Sequence, residues 1–294
     1  IAEHFMIPYN TKLWTVPPSE MAHAWCGRFV PLPTPEEVVW GALTPAGAGR
    51  ALGYNATFLY PRQGGIGRLS EALAMAVPHP VRLGTPAMAI DWRARRVYLP
   101  DGAALAYDVL VSTAAVTELL PLMADVPQAV QDAARKLRAT SVTYWDLGVA
   151  RPNTPDDYHW IYYPEPDVPF YRAGSASAAV PSMAPPGRAS FYVETAHAMG
   201  TPPPVSDEAL LQGLRRVGLL GAREEPVLCE RFTLGCAYTI MDHAYGPARQ
   251  TVLEWLASQR ILSVGRYGAW MYDSMEGAML QGRSAAERVE ALLA

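Results

Sequence analysis

The chain has 294 residues, of which 50% are hydrophobic and 18% are charged, and its formal net charge is −4. This composition can form a packed core and excludes a disordered chain. The only basic cluster, Arg93, Arg95 and Arg96, alternates like one exposed strand face, which argues against a nucleic-acid partner. No apolar run reaches the roughly 18 residues of a membrane span, and three cysteines without CxxC spacing indicate a reducing compartment. We therefore expect a cytoplasmic protein without a membrane partner.

Hydrophobic periodicity and turn residues predict a chain in which helices and strands are interleaved. Prolines interrupt the first 50 residues, where only short helices are expected. The predicted helices span residues 2–14, 19–29, 34–43, 68–77, 117–123, 126–139, 206–220, 250–258 and 275–293. The predicted strands span residues 57–62, 108–112, 141–150, 159–165, 169–177, 189–197, 226–235 and 261–265, with further short strands and a Pro-Asp-Gly turn between 81 and 107.

The order of these elements predicts the fold class. Strands dominate the middle of the chain, whereas both flanks mix helices and strands, so we expect an α/β fold with an α+β part. The expected domain boundaries are 1–50 for a helical segment, 51–128 for part of an α/β domain, 129–245 for a mostly antiparallel sheet, and 246–294 for the last strand and helix of the α/β domain.

The stretch at residues 261–282 combines a short apolar strand, a loop rich in rings, and the start of a helix. Tyr267, Trp270 and Tyr272 lie between the strand and a helix that Ser274 can cap. This combination is not typical of an ordinary core, although a purely structural aromatic junction with glycine turns would have the same pattern.

Several enzyme signatures are missing from the sequence. There is no HExxH, no clustered histidine spacing, no GxSxG and no P-loop, so we predict no metal site. GAGRALG at 47–53 imitates a dinucleotide fingerprint but follows no predicted strand. GGIG at 64–67 is better placed, because a glycine turn that opens a helix can offer amides to an anion, although a tight turn alone also needs glycine.

Four segments together resemble the eukaryotic-type UDP-galactopyranose mutases, within the wider amine-oxidase and protoporphyrinogen-oxidase flavoproteins. In chain order they are FMIPYNTKLWTVPPSEMAHAWCGR at 5–28, YPRQGGIG at 60–67, WIYYPEPDVPFYRA at 160–173 and VGRYGAWMY at 264–272. They extend over nearly the whole chain. The resemblance implies part of a Rossmann-like FAD-binding domain, an antiparallel-sheet substrate domain and a small helical segment. Strands 108–112 and 261–265 would then be neighbours in one parallel sheet.

The same resemblance implies FAD as the cofactor and a nucleotide sugar as the substrate. The implied reaction interconverts the pyranose and furanose forms of a UDP-sugar through an adduct at N5 of the reduced flavin. The N-terminus of the last helix would face the flavin and stabilise its anionic reduced form. The implied cofactor-binding residues are Gly64, Gly65, Gly67, Gly265, Arg266, Gly268, Trp270, Tyr272 and Met275.

Substrate contacts are also implied residue by residue. Arg172 resembles the arginine that binds the diphosphate, since its planar fork matches phosphate oxygens. The other implied contacts are Tyr162, Tyr238 and Tyr272 at the phosphates, Asn10 and Trp14 on the sugar side, and Arg28 as a second arginine. Arg172 could instead be a surface arginine, and Trp14 a core ring.

We expect Arg172 to face a cleft, on the same strand face as Phe170, because alternate residues of a strand share a face. Near apolar surface, such an arginine needs an anion, and Glu276 could provide it when no ligand is bound.

Three departures from the family pattern accompany the resemblance. Arg28 stands one position earlier than the family's second arginine, and Glu276 replaces an asparagine near the phosphates. The family's N-terminal βαβ unit with GxGxxG is absent, and the sequence begins with Ile1, so we expect a shortened chain with unpaired sheet edges through which it self-associates.

Two other functions stay open. A FAD-dependent amine-oxidase-like or desaturase-like oxidoreductase would have an apolar tunnel lined by rings such as Trp160 and Tyr163. A fragment without catalysis would bind ligand but no flavin.

Overall fold

The computed structural model describes residues 1–26, 33–44, 59–155 and 157–294, and these fall into two units. One unit consists of Ile1–Glu20 and Arg82–Ala294, and the other of Met21–Val81. The four domain boundaries expected from the sequence stay predictions.

The described residues form short helices and strands, most of them where the sequence predicts them. The helices are α1 (Ile7–Trp14), α2 (Pro35–Leu43), α3 (Gly67–Ala76), α4 (Val116–Leu119), α5 (Gln128–Ala134), α6 (Ala176–Ala179), α7 (Asp207–Arg216), α8 (Tyr245–Ser258), α9 (Gly265–Gly268) and α10 (Met275–Leu293). The strands are β1 (Ala89–Asp91), β2 (Arg96–Tyr98), β3 (Ala104–Ala106), β4 (Leu110–Ser112), β5 (Ala139–Val149), β6 (Ile161–Tyr162), β7 (Arg172–Ser175), β8 (Ala189–Ala198), β9 (Leu228–Thr239) and β10 (Ile261–Ser263).

In the unit Met21–Val81, capping residues decide where helices begin. Thr34 and Glu37 form a reciprocal capping box at the start of α2, where the sequence predicts a helix. Gly64 and Gly65 have φ of 82° and 70°, a conformation that favours glycine, immediately before α3. The strand expected at 57–62 is wrong over residues 59–62, which have no regular structure, and residues 57 and 58 lie outside the described residues.

The helix expected at 19–29 is also wrong in its described part. Only 3-10 turns at Pro18–Glu20 and His23–Trp25 are present there. The backbone bonds here are of the i→i+3 type, from the Glu20 N–H to the Pro17 carbonyl and from the Trp25 N–H to the Ala22 carbonyl.

The central sheet has the strand order β6-β7-β8-β5-β9, and all of its pairs are antiparallel. Side chains alternate across β5: Trp145 and Leu147 are buried, whereas Asp146 is exposed. The buried face packs against α7, whose Leu210 and Leu214 are almost fully buried. The opposite face is therefore left open, and it carries the candidate site.

A second core lies around a parallel pair of strands. β4 pairs with β10 in parallel, from Leu110↔Ile261 to Ser112↔Ser263, as the sequence predicts. Helices α4, α5 and α8 contribute to this core, which includes Val116, Val252 and Trp270. A mixed fold with two antiparallel sheets and one parallel pair confirms the predicted fold class.

Strands β1, β2 and β3 form a small antiparallel sheet. The Pro-Asp-Gly turn joins β2 to β3, with Gly102 at φ 81°. The sequence predicts that three arginines share one exposed strand face, and this prediction is wrong. Arg93 and Arg95 lie in the turn between β1 and β2, and only Arg96 belongs to a strand. Across the described ranges, no helix combines the length and the apolar character that a bilayer crossing requires.

Candidate functional site

A cleft of about 1010 Å³ lies on the open face of the central sheet. Residues of four strands form its floor, and helix α9, which follows β10, closes one end. The polar side chains that line it include Tyr144 and Asp146 of β5, Arg172 of β7, Tyr192 and Glu194 of β8, Tyr238 of β9, and Arg266 and Tyr267 of α9. The volume suits a small-molecule ligand.

Arg172 and Glu194 form an ion pair in the floor of this cleft. They are directly opposite each other in the β7–β8 register, and their side chains are only 16% and 14% exposed. The guanidinium of Arg172 donates from Nη2 to Glu194, and the hydroxyl of Tyr171 donates to the same carboxylate. The sequence predicts that Glu276 could pair with Arg172 in an empty site, and this expectation is wrong. Glu276 is exposed in the first turn of α10.

The pair leaves one nitrogen of the Arg172 guanidinium without a hydrogen bond. Its Nε is buried without a hydrogen-bond partner among the described residues. The Trp160 ring lies on the guanidinium, 4.7 Å from Cζ, and restrains its position. Although burial opposes the charge, the nearby Glu194 carboxylate holds the pKa of Arg172 well above its usual range, so the side chain stays cationic.

Phe170 does not share a face with Arg172, and the sequence expectation is wrong on this point. Phe170 packs in the apolar core with Trp145, whereas Arg172 faces the cleft. The reason is that β7 begins only at Arg172, so the strict alternation of a strand does not extend back to Phe170.

Tyr238 and Tyr272 form a stacked pair at one end of the cleft, with ring centroids 5.4 Å apart. The Arg266 guanidinium lies 5.0 Å from the Tyr238 ring and 4.5 Å from the Tyr272 ring. It donates to the carbonyls of Ala237 and Asp273. Arg266 makes no ion pair with any carboxylate of the described residues, so its charge is available to an anion.

Helix α1 adds aromatic rings next to this stacked pair. The Trp14 ring is 5.8 Å from Tyr238 and 6.5 Å from Tyr272, and it is almost fully buried. Asn10 is buried and works within the helix: it donates to the Met6 carbonyl and accepts from Trp14 Nε1. Asn10 therefore fixes the indole.

Tyr9 and Tyr162 connect α1 to the neighbourhood of Arg172. Their rings are 4.9 Å apart, and Tyr162 is opposite Arg172 in the β6–β7 register. Burial raises the pKa of Tyr9 and of Tyr171 far above the usual tyrosine range. Both hydroxyls are therefore neutral groups that can donate hydrogen bonds.

Close backbone packing shapes the start of α10. Gly268 approaches β4 so closely that an added Cβ would be 2.9 Å from the Ser112 carbonyl. Gln281 accepts from the Gly265 N–H and donates to the Asp273 carboxylate, while Ser274 caps the helix. This network holds the strand, the loop and the helix N-terminus together.

The remaining expected cofactor residues occupy different environments. The Trp270 side chain is completely buried in the core around β10, and its Nε1 has no partner among the described residues. Met275 is half exposed at the start of α10. Gly64, Gly65 and Gly67 belong to the unit Met21–Val81. Arg28 lies outside the described residues, and the described ranges contain no cluster of metal-ligating side chains.

The polar and charged cleft residues that were not among the candidates from the sequence include Tyr144, Asp146, Arg188, Tyr192 and Glu194. The alternation in AS-F-Y-V-E-T-A-H-A places Tyr192 and Glu194 on one face of β8, and this signal could have been used. The pairing of Glu194 with Arg172 depends on the β7–β8 register, which the sequence does not specify.

Comparison with known proteins assigns the class of the chain. A family model for flavin-containing amine oxidoreductases matches residues 5–290, and the chain belongs to this family. The family membership indicates FAD as the cofactor, which confirms that expectation.

Two solved structures are similar to the chain. A crystal structure of reduced UDP-galactopyranose mutase superimposes with a TM-score of 0.88 at 28% identity, covering 99% of this chain and 64% of that chain. This chain thus spans just under two thirds of the mutase that it resembles. A structure from Exiguobacterium sp. 255-15 that carries the name of a protoporphyrinogen oxidase superimposes with a TM-score of 0.62 at 17% identity, covering 77% of this chain and 51% of that one, and this likeness concerns the fold.

The positive charge near the start of α10 is complementary to the isoalloxazine end of a reduced flavin. Arg266 is a cation without a carboxylate partner in the described ranges, and the positive end of α10 begins at the same loop. Both features favour the negative charge that a reduced flavin carries. Trp270 fits less directly, because its ring faces the core.

Proposed function

We propose that the protein is a FAD-dependent mutase-like enzyme that interconverts the pyranose and furanose forms of a UDP-sugar. The observation that carries the proposal is the buried Arg172 in the cleft floor, with donor capacity beyond its bond to Glu194. The charged side chains lining the cleft are Arg172, Arg188, Arg266, Asp146 and Glu194, so cations exceed carboxylates by one. Partial desolvation and the neighbouring Glu230 carboxylate raise the pKa of Asp146.

A diphosphate matches this distribution of donors. Arg172 supplies a planar cationic fork, and Tyr238 and Tyr272 supply neutral hydroxyl donors nearby. These groups would bind the diphosphate and stabilise its charge when it departs from the anomeric carbon. The rings of Trp14, Tyr238 and Tyr272 would exclude water from the reacting sugar.

FAD in its reduced state supplies the nucleophile for this chemistry. Arg266 and the N-terminus of α10 would hold the pyrimidine side of the flavin ring and favour its anionic form. The Gln281 bridge between the Gly265 N–H and the Asp273 carboxylate keeps that helix end in place.

A FAD-dependent amine-oxidase-like oxidoreductase is the second candidate, favoured by the family match. Its expected apolar tunnel is not supported at Tyr163, which packs against Phe170 in the sheet core. Trp160 lines a charged site instead, on the Arg172 guanidinium. The charged floor therefore supports the nucleotide sugar over an apolar amine.

Calorimetric titration of the intact protein with UDP tests the proposal. Arg172→Ala should weaken UDP binding by about 2–4 kcal/mol, the scale for losing one member of a buried charge pair. Arg172→Lys should recover only part, since an ammonium cannot make the bidentate contact. Arg135→Ala is the matched control, because Arg135 is an exposed arginine paired with Asp132. Equal UDP affinity in all four proteins would remove Arg172 from the site and favour the oxidoreductase.

A further inference from the structure

The ammonium group of Lys12 is enclosed by four backbone carbonyl oxygens of one loop. Nζ lies 2.8 Å from the Tyr163 oxygen, 3.0 Å from Glu165, 2.9 Å from Val168 and 2.6 Å from Phe170. All four carbonyls belong to the connection between β6 and β7. An ammonium has three N–H donors, which here are shared among four acceptors that surround the nitrogen. A neutral side chain would lack the positive charge that these four carbonyl oxygens attract.

This ring has the chemistry of a monovalent-cation site. Backbone carbonyls that replace the hydration shell of a cation are the ligands by which proteins bind K⁺. No carboxylate of the described residues forms an ion pair with Lys12, and the carboxylates of Glu165 and Asp167 act only through longer-range attraction. Burial lowers the pKa of Lys12 to about 8, so the group remains mainly protonated at neutral pH.

The position of Lys12 gives the contact a consequence for the site. Lys12 lies two residues from both Asn10 and Trp14 on α1. The loop that it holds leads directly into Arg172. One ammonium therefore connects the helix that carries the indole to the strand that carries the arginine, across 151 to 158 positions of sequence.

We propose that Lys12 is a positioning residue that acts as a tethered monovalent cation, and that the carbonyl ring becomes a K⁺-binding site when the side chain is removed. The proposal rests on this geometry and does not depend on the identity of the substrate. A merely structural role would make Lys12→Ala defective in every salt, whereas a tethered cation can be replaced by a free one.

The experiment compares wild type, Lys12→Ala and Lys136→Ala in the intact protein. Lys136 is an exposed lysine and serves as the matched control. Hydrogen exchange of residues 7–14 is measured by mass spectrometry in chloride salts of K⁺, methylammonium and tetramethylammonium at equal ionic strength. We expect Lys12→Ala to lose roughly tenfold or more of its protection in tetramethylammonium, because several hydrogen bonds to a charged group are lost.

Potassium or methylammonium should restore that protection in a concentration-dependent way, and neither salt should change Lys136→Ala. Unchanged protection in Lys12→Ala, or a loss that neither K⁺ nor methylammonium restores, would overturn the proposal. If Lys12→Ala folds only with K⁺ or methylammonium, that dependence supports it.

A second measurement tests the carbonyl ring in the wild-type protein itself. The Lys12 ammonium resonance, assigned by its loss in Lys12→Ala, should exchange with water roughly tenfold more slowly than that of Lys136, as a group enclosed by carbonyls does. Equal exchange rates would refute the ring. Because neither readout uses UDP, failure of the proposed mutase function and failure of this proposal can be told apart.

Discussion

At the scale of single residues, the site depends on one carboxylate shared by two donors. Glu194 accepts from Arg172 and from the Tyr171 hydroxyl, and it is mostly buried. A diphosphate that binds Arg172 competes with this carboxylate for the guanidinium N–H donors, so Glu194 has to keep only part of its hydrogen bonds or move. Glu194 thus limits the affinity of the cleft for anions, while it keeps Arg172 oriented when the cleft is empty.

Glu194→Gln should strengthen UDP binding by about tenfold, which corresponds to about 1.4 kcal/mol, because it removes a competing charge and keeps an acceptor for Arg172. The measurement is calorimetric titration with UDP. Glu208→Gln, on the exposed face of α7, is the matched control and should bind as wild type does. Weaker binding in Glu194→Gln would mean that the carboxylate mainly orients Arg172.

At the scale of elements, the short strand β7 brings two backbones into contact behind the cleft. Gly174 is buried, and an added Cβ would be 2.0 Å from the carbonyl oxygen of His159. His159 is followed by Trp160, whose ring lies on Arg172. The glycine therefore sets the distance between β7 and the segment that supplies this ring.

Gly174→Ala should lower the free energy of unfolding by about 3 kcal/mol or more, because overpacking against backbone cannot relax through a side-chain rotation. Gly235→Ala on β9 is the control, since nothing lies within 4 Å of its added Cβ, and it should be neutral or stabilising by about 0.5 kcal/mol. Urea unfolding of both variants measures the difference. Similar stability of the two variants would contradict the close packing at Gly174.

At the scale of the whole molecule, one buried ion pair connects stability to pH. Arg151 donates two hydrogen bonds to Asp157, which also accepts from the Thr154 N–H. Burial opposes the charge on Asp157, but these hydrogen bonds outweigh it and hold the pKa of the carboxyl below its usual range. The folded chain therefore binds this proton less readily than the unfolded chain does.

This difference predicts the direction of the pH dependence. The stability contributed by Asp157 should be fully present above about pH 4, near the pKa of an unfolded aspartate, and should be lost as pH falls through the lower folded pKa. Urea unfolding between pH 6 and pH 3 should show a shallower loss of stability for Asp157→Asn than for wild type. Parallel curves for the two proteins would show that other carboxyls control acid unfolding.

Local sequence signals predicted much of the fold. Thr34 with Glu37 and Ser274 begin helices because their side chains cap nearby amides, and such caps need no distant partner. The parallel pairing of β4 with β10 also followed from the sequence, through the family resemblance. The strand expected at 57–62 failed over its described residues, since an apolar run becomes a strand only where a partner strand pairs with it.

The sequence by itself determined the family and the cofactor class, because those depend on motifs in which residue type and order carry the information. Only the tertiary structure decided which charges meet. Glu194 faces Arg172 because of the β7–β8 register, and Lys12 reaches its four carbonyls from more than 150 residues away. Register and long-range docking arise from the packing of whole elements, so no local pattern specifies them.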